Sequence, residues 1–320
     1  FAGGGATVGG VQGDGDMQPG RGIALKLVSV LLFIVMASLV KATSAHVPPG
    51  QAVFFRSFFA MPIIVVWLAA RGDLSTGFRV ENRIAHVWRG LIGTAAMGCG
   101  FAALGLLPLP EVTAIGYAAP LMTVLFAAAL LGERLRLFRL TAVGIGLLGV
   151  LVILWPKLSL GDPTDLAVIG AGLALASAAL RALAQIQIRR MVQHEETSAI
   201  VFYFSLSATG FALLTAPFGW VWPAPWEAGL LIAAGLIGGV AQIFLTSAYR
   251  FADASVVAPF DYASMLFALA IGYAIFDEVP TWTMLAGAAL IILAGVVIVW
   301  RERRIGLARG KAREGLTPHG

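Results

Sequence analysis

The chain has 320 residues, of which 59% are hydrophobic and only 12% charged, with a formal net charge of +5. Soluble domains are about one-quarter charged, so this composition excludes a chain that must cover a water-facing surface of ordinary size. The basic excess sits between apolar segments, which ties it to membrane orientation rather than to nucleic acid.

Residues 1–21 are Gly-rich, carry Asp14 and Asp16, and lack the basic-then-apolar order of a signal peptide. They are read as a disordered tail. Ten stretches then approach the ~20 apolar residues that a spanning helix needs: 22–40, 50–70, 85–107, 111–131, 140–155, 166–188, 198–218, 227–249, 254–276 and 281–300. Their length and Ala, Leu and Gly content favour helix over strand. The short joints hold breakers: Pro48, Pro49, Pro108, Pro110, Pro156, Pro163, Pro223 and Pro280. Residues 301–320 form a basic cytoplasmic tail, expected to be disordered from about Ile305.

Place the N-terminus in the cytoplasm, and all but four of the 22 Lys and Arg fall on the cytoplasmic side, Lys26 and Arg89 among them. Lys41 and Lys157 lie outside, and Arg56 and Arg181 lie within helices. This bias favours ten spans with both ends cytoplasmic.

Shifting the chain against itself by 145 positions aligns Leu91-Ile92-Gly93 with Leu236-Ile237-Gly238, Tyr117 with Tyr262, and Glu133 with Glu278. The expected organisation is an all-α integral membrane protein of two five-helix repeats, 22–155 and 165–300. Five is odd, so the second repeat enters the membrane from the opposite side. Inverted repeats suit alternating access, because each half can adopt the other's conformation.

Ionisable residues inside a bilayer are costly and mark functional sites. Asp261 lies in the ninth stretch and Arg181 in the sixth, each about seven residues, or roughly 10 Å, from the inner end. Their depths match, so they could form a structural pair, or bind substrate or a proton. Arg56 could snorkel to the outer interface, capture an anion or brace a helix end. Tyr117, Tyr262, Phe260, Gln242, Gln185 and Trp88 could line an apolar cavity with a few polar handles. Glu133 and Glu278 close their helices as end contacts or gate elements. Gly235 and Gly239 form a GxxxG pattern for close helix approach.

A single cysteine, Cys99, allows no internal disulfide. His46, His86, His194 and His319 lack zinc-ligand spacing, and no Walker-type loop is present. No cofactor, metal or enzymatic activity is expected. A channel or a scaffold is the alternative class, but no ring of like charges or carbonyl-filter motif supports a channel.

The chain resembles the drug/metabolite transporter superfamily, within its EamA group. The resemblance spans about 22–304. It rests on Phe54-Phe55-Arg56-Ser57-Phe58-Phe59-Ala60, Trp88-Arg89-Gly90, Leu131-Gly132-Glu133-Arg134 and the run from Asp253 to Tyr262. Asp277-Glu278 stands where the family often has Gly-Glu. The resemblance implies two inverted five-helix halves around a central cavity, and a small-molecule carrier in a bacterial inner membrane. The Arg21–Lys26 opening and the Lys41–Arg56 run look most like riboflavin transporters, which makes riboflavin uptake the expected activity; export or exchange of amino acids, S-adenosylmethionine or other metabolites is the alternative. The expected partners are the substrate, the lipid bilayer and a second copy of the chain.

Overall fold

The computed structural model describes residues 19–72, 74, 77–131, 137–160, 166–191, 194–251 and 258–314. The described residues are almost wholly helical. Helices α1 (Pro19–Thr43), α2 (Pro49–Ala70) and α3 (Arg83–Leu106) are followed by α4 (Leu109–Gly116) and α5 (Ala118–Leu131), which abut at Tyr117. Then come α6 (Leu137–Leu160), α7 (Leu166–Met191), α8 (Thr197–Leu213) and α9 (Pro225–Phe251). A 3₁₀ turn, Ala258–Tyr262, leads into α10 (Ala263–Phe276), and α11 (Trp282–Glu314) ends the described chain. Five of these helices are long and apolar enough to cross a membrane unaided, and several shorter apolar ones accompany them.

Three boundaries differ from expectation. Residues 19–21, read as part of the tail, open α1. Pro156 lies inside α6 instead of ending it. Residues 301–314, expected outside the last span and disordered from about Ile305, extend α11 to Glu314. That stretch is rich in Arg, with Ala, Glu and Lys beside it, good helix formers that add to a helix already nucleated by the apolar span. The tail residues 1–18 and 315–320 fall outside the described residues.

The helices pair across the two halves of the chain. α1 packs most extensively on α9, and α7 on α3. α2 lies against α8, and α6 against α11. The two larger hydrophobic cores therefore draw on both halves. One joins α4, α5, α6, α7, α10 and α11 around Ile115, Leu121, Val143 and Ile291. The other joins α1, α2, α3 and α9 around Val40, Val53, Leu104 and Leu231. Small residues set the closest crossings, as expected where lipid removes most of the hydrophobic drive between helices. A Cβ at Gly235 would collide with Phe59 and the Phe55 carbonyl of α2, so the GxxxG pattern seats α9 on α2.

Outward faces are apolar. Ile84, Val87, Trp88 and Leu91 form an exposed stripe on α3, and Leu140, Leu148, Leu151 and Trp155 form one on α6. Trp222, Trp226 and Trp282 are exposed near the chain reversals α8–α9 and α10–α11, positions where aromatic side chains suit a membrane–water interface.

Two reversals are fixed by polar contacts. After α10, Asp277 takes a left-handed conformation at φ 53°, ψ 29°. That geometry favours Gly and tolerates Asp, which explains the Gly-to-Asp departure noted in the sequence. On the other face, the buried Glu195 accepts from the Glu81 and Asn82 N–H groups at 3.0 and 2.7 Å, and His86 Nε2 approaches it at 3.4 Å. Burial opposes ionisation of Glu195, but the Asn82 N–H, the His86 ring and the Glu81 N–H together hold its carboxyl below the usual carboxylate range. Its stabilisation is therefore present at neutral pH and is lost as pH falls through the lowered value. Glu195→Ala is expected to lower the thermal midpoint at neutral pH, with the gap to wild type closing in acid. Midpoints measured across a pH series check this; a gap that stays constant into acid would remove Glu195 as the cause.

Candidate functional site

The helix breaks at Tyr117 and Tyr262 organise the centre of the bundle. Tyr117 sits between α4 and α5 at φ −69°, ψ −7°. Tyr262 ends the 3₁₀ turn and caps α10 at φ −69°, ψ −14°. The two positions are mates under the 145-residue shift, and their backbones match. Their rings meet edge to face, 5.1 Å between centroids. The Tyr117 hydroxyl shares a short hydrogen bond with Ser264 Oγ and lies 3.3 Å from the Tyr262 carbonyl. Ser264 in turn donates to the Asp261 carbonyl at 2.7 Å. One side chain from the first half thus holds the break in the second. A Cβ at Gly295 of α11 would collide with the Tyr262 hydroxyl, so α11 closes the other side.

Asp261 pairs with Lys26, not with Arg181. Lys26 Nζ stands 2.7 Å from Asp261 Oδ1. Counted among the cytoplasmic charges from sequence, Lys26 is instead enclosed within α1, its side chain 2% exposed, while that of Asp261 is 49% exposed. Matching depth along two helices does not fix which faces meet, and α1 rather than α7 faces the 3₁₀ turn.

Arg181 approaches the other break. Its guanidinium would come within 2.9 Å of a Cβ on Gly116, and Gly116 is the repeat mate of Asp261. Arg181 Nε also donates to the Ser177 carbonyl at 3.4 Å. Along α7, Ser177 is buried, whereas Arg181 and Gln185, one and two turns further on the same face, are exposed. Arg181 thus meets an interior helix break and is still exposed. Asp261, beside the mated break, is half-exposed as well. Thr123 of α5 reaches Gln185 Oε1 at 3.4 Å. The breaks and α7 thus bring together Tyr117, Tyr262, Asp261, Arg181 and Gln185 with Lys26 behind them.

The remaining candidates lie elsewhere or at the rim. Phe260, on the 3₁₀ turn, and Gln242, on α9, are half-buried. Trp88 is 53% exposed and belongs to the outward stripe of α3, because it follows Ile84 by one helical turn. Glu133 falls outside the described residues. Arg56 does not snorkel: it is buried beside Phe204 of α8. Glu278 accepts from the Leu109 N–H at 2.8 Å and pairs with Lys41 at 2.9 Å. Lys41 also donates to the Leu104 and Leu107 carbonyls, at 3.0 and 2.7 Å. This pair joins the ends of α1, α3, α4 and α10. Sequence reasoning missed Lys26, Ser264 and Lys41 as site or clamp residues. The position of Lys26 inside the 22–40 stretch was the available signal.

Comparison with known proteins agrees with this architecture. Residues 20–155 and 168–300 each match the model of the EamA-like transporter family. The Pseudopaline exporter CntI of Pseudomonas aeruginosa is 32% identical over 87% of this chain and 95% of its own length. An S-adenosylmethionine uptake transporter of Rickettsia prowazekii is 25% identical, covering 89% of this chain and 94% of the relative. A solved crystal structure with 24% identity superposes at a TM-score of 0.64 over 93% of this chain and 99% of that one, and so shares the fold.

Proposed function

The chain belongs to the EamA-like transporter family, and from that premise we propose that it carries a small charged metabolite of the S-adenosylmethionine kind across a bacterial inner membrane. In this reading ten spans form two inverted five-helix halves, with both termini cytoplasmic. Substrate enters the space between the halves and stacks on Tyr117 and Tyr262. Asp261 and Arg181 supply its charged contacts, and rocking of the halves about the mated breaks exposes it to the other side. Arg56 is set apart from this group and Trp88 is left out of it.

The observation that carries the reading is the Lys26–Asp261 pair at the broken ninth span. An interior carboxylate held by one buried amine and half open to internal space can exchange that partner for a substrate cation. Broken helices that leave backbone carbonyls beside such a group are a recurrent basis for transporter sites. The named relatives favour a substrate with amino-acid charges over riboflavin, although the aromatic pair and Gln185 would also suit a flat ring.

Reconstituted into liposomes, the full chain is expected to give saturable flux of labelled S-adenosylmethionine that unlabelled compound suppresses and riboflavin does not. Riboflavin flux without S-adenosylmethionine flux would replace the substrate class. Ionic current in place of saturable flux would replace the carrier by a channel.

A further inference from the structure

Away from the Asp261 region, α2 and α3 point two arginines at one ring. The Arg89 guanidinium lies 4.1 Å from the Phe204 centroid, and that of Arg56 lies 5.9 Å from it. Arg89 was counted from sequence among the cytoplasmic charges, but its Nε and Nη1 are enclosed within the bundle. Two glycines make room for the pair. A Cβ on Gly93 would strike Arg89 Nη1 and Phe204, and one on Gly238 would contact Arg56 Nε. Gly93 and Gly238 are mates under the 145-residue shift. Arg56 lies seven residues into α2, and Phe204 seven into α8, so the cluster sits about 10 Å inside the bundle from either helix start.

The charges there are not balanced. Among the described residues, neither arginine has a carboxylate at ion-pair distance. Arg56 Nε, Arg89 Nε and Arg89 Nη1 are buried with no hydrogen-bond acceptor. A ring face offers a guanidinium some electrostatic attraction, but it does not satisfy in-plane N–H donors, and buried donors of this kind nearly always have partners. Two like charges in a water-poor interior also repel. A carboxylate removes both problems at once, because its two oxygens accept from guanidinium forks.

We infer that Arg56 and Arg89, seated on Phe204, bind the carboxylate of the transported substrate. This rests on the carrier reading and narrows it to carboxylate-bearing substrates. The cluster lies at the level of Met36, whose sulfur also borders Gly238, ten residues along α1 from Lys26. That is about 15 Å, enough to separate a carboxylate end of the substrate from an aromatic end at Tyr117 and Tyr262.

The test compares S-adenosylmethionine with its decarboxylated analogue in liposomes of neutral lipid, using the wild-type full chain, Arg56→Gln and Arg89→Gln. Wild type should favour the carboxylate form by ~10-fold or more, the size of one or two charge-assisted hydrogen bonds. Each variant should lose most of that preference. Equal loss of both fluxes, with the preference kept, would overturn the inference and leave the arginines as helix braces. A second measurement does not depend on the substrate assignment. Sodium succinate should raise the thermal midpoint of purified wild-type protein above sodium chloride at equal ionic strength, and should not do so for either variant. If neither adenosyl compound moves but succinate still stabilises wild type alone, the substrate class fails and the carboxylate site stands. Stabilisation by phosphatidylglycerol vesicles but not by succinate would reassign the site to a lipid headgroup and overturn the inference.

Discussion

Asp261→Asn is expected to abolish gradient-driven transport while leaving substrate exchange measurable. The carboxylate is the acceptor for Lys26 at 2.7 Å and is half-exposed beside Tyr262. If loading and release at this carboxylate couple flux to a gradient, an amide keeps the shape and removes the coupling. Driven uptake should fall at least ~10-fold, the effect of losing one charged contact, and counterflow should persist. The substitution also takes the carboxylate away from an ammonium that is 2% exposed. Removing one member of a fully buried pair costs about 3–5 kcal/mol; the half-exposed Asp261 makes the cost here smaller. Lys26→Met combined with Asp261→Asn should recover most of the lost stability but none of the driven transport. Thermal midpoints together with paired uptake and counterflow assays separate the two roles. Driven uptake in Asp261→Asn with the pH dependence of wild type would rule out coupling at this residue. Recovery of transport in the double variant would make the pair purely structural.

Glu278→Ala is expected to be the other severe substitution. Glu278 uses one oxygen for the first free N–H of α4 and the other for Lys41, whose ammonium also binds two carbonyls at the end of α3. An acid at a helix N-terminus and a cation at a helix C-terminus each complement the helix dipole. Here one ion pair does both. Glu278 and Lys41 are each 13% exposed, so solvent replaces little of what is lost. Alanine leaves the Leu109 N–H and the Lys41 ammonium short of an acceptor, at a cost of about 2–4 kcal/mol. Glu278→Gln keeps an oxygen for Leu109 and should fall between alanine and wild type. The check is the thermal midpoint in detergent, followed by transport at a temperature where each variant is folded. If the clamp is also a gate, the alanine variant will leak substrate without a gradient. Wild-type stability in Glu278→Ala would remove the clamp from the account.

The same clamp explains an exception in the charge pattern. Lys41 was one of two basic residues on the expected outer face. Its ammonium binds carbonyls and a carboxylate that belong to other helices, so the position answers to helix-end chemistry rather than to membrane orientation.

Much of the architecture was legible because lipid imposes a one-dimensional code. A spanning helix must be apolar over ~20 residues, and its backbone must satisfy itself. Length and hydropathy therefore marked the helical stretches without knowledge of their neighbours. The repeat was legible for a similar reason: Tyr117 and Tyr262 stand at a fixed spacing, and the structure gives them matching backbone angles and a shared ring contact. The break at each tyrosine was not read from sequence, although Gly116 and Pro120 flank the first and Pro259 and Asp261 the second, because the apolar stretches continue on both sides.

Pairing was the part that sequence left open. From hydropathy alone, Lys26 and Arg89 looked like interface charges and Trp88 like a cavity wall. Each assignment depends on rotation about the helix axis, which a uniformly apolar helix does not encode. The packing of α1 on α9 and of α2 and α3 on α8 turned Lys26 toward Asp261, turned Arg56 and Arg89 toward Phe204, and left Trp88 facing outward. The sequence by itself determined a helical membrane bundle of two related halves and the presence of interior charges, because desolvation makes such residues conspicuous along the chain. Only the tertiary structure decided which charge meets which, because an ion pair is set by distances of a few ångströms between helices far apart in sequence.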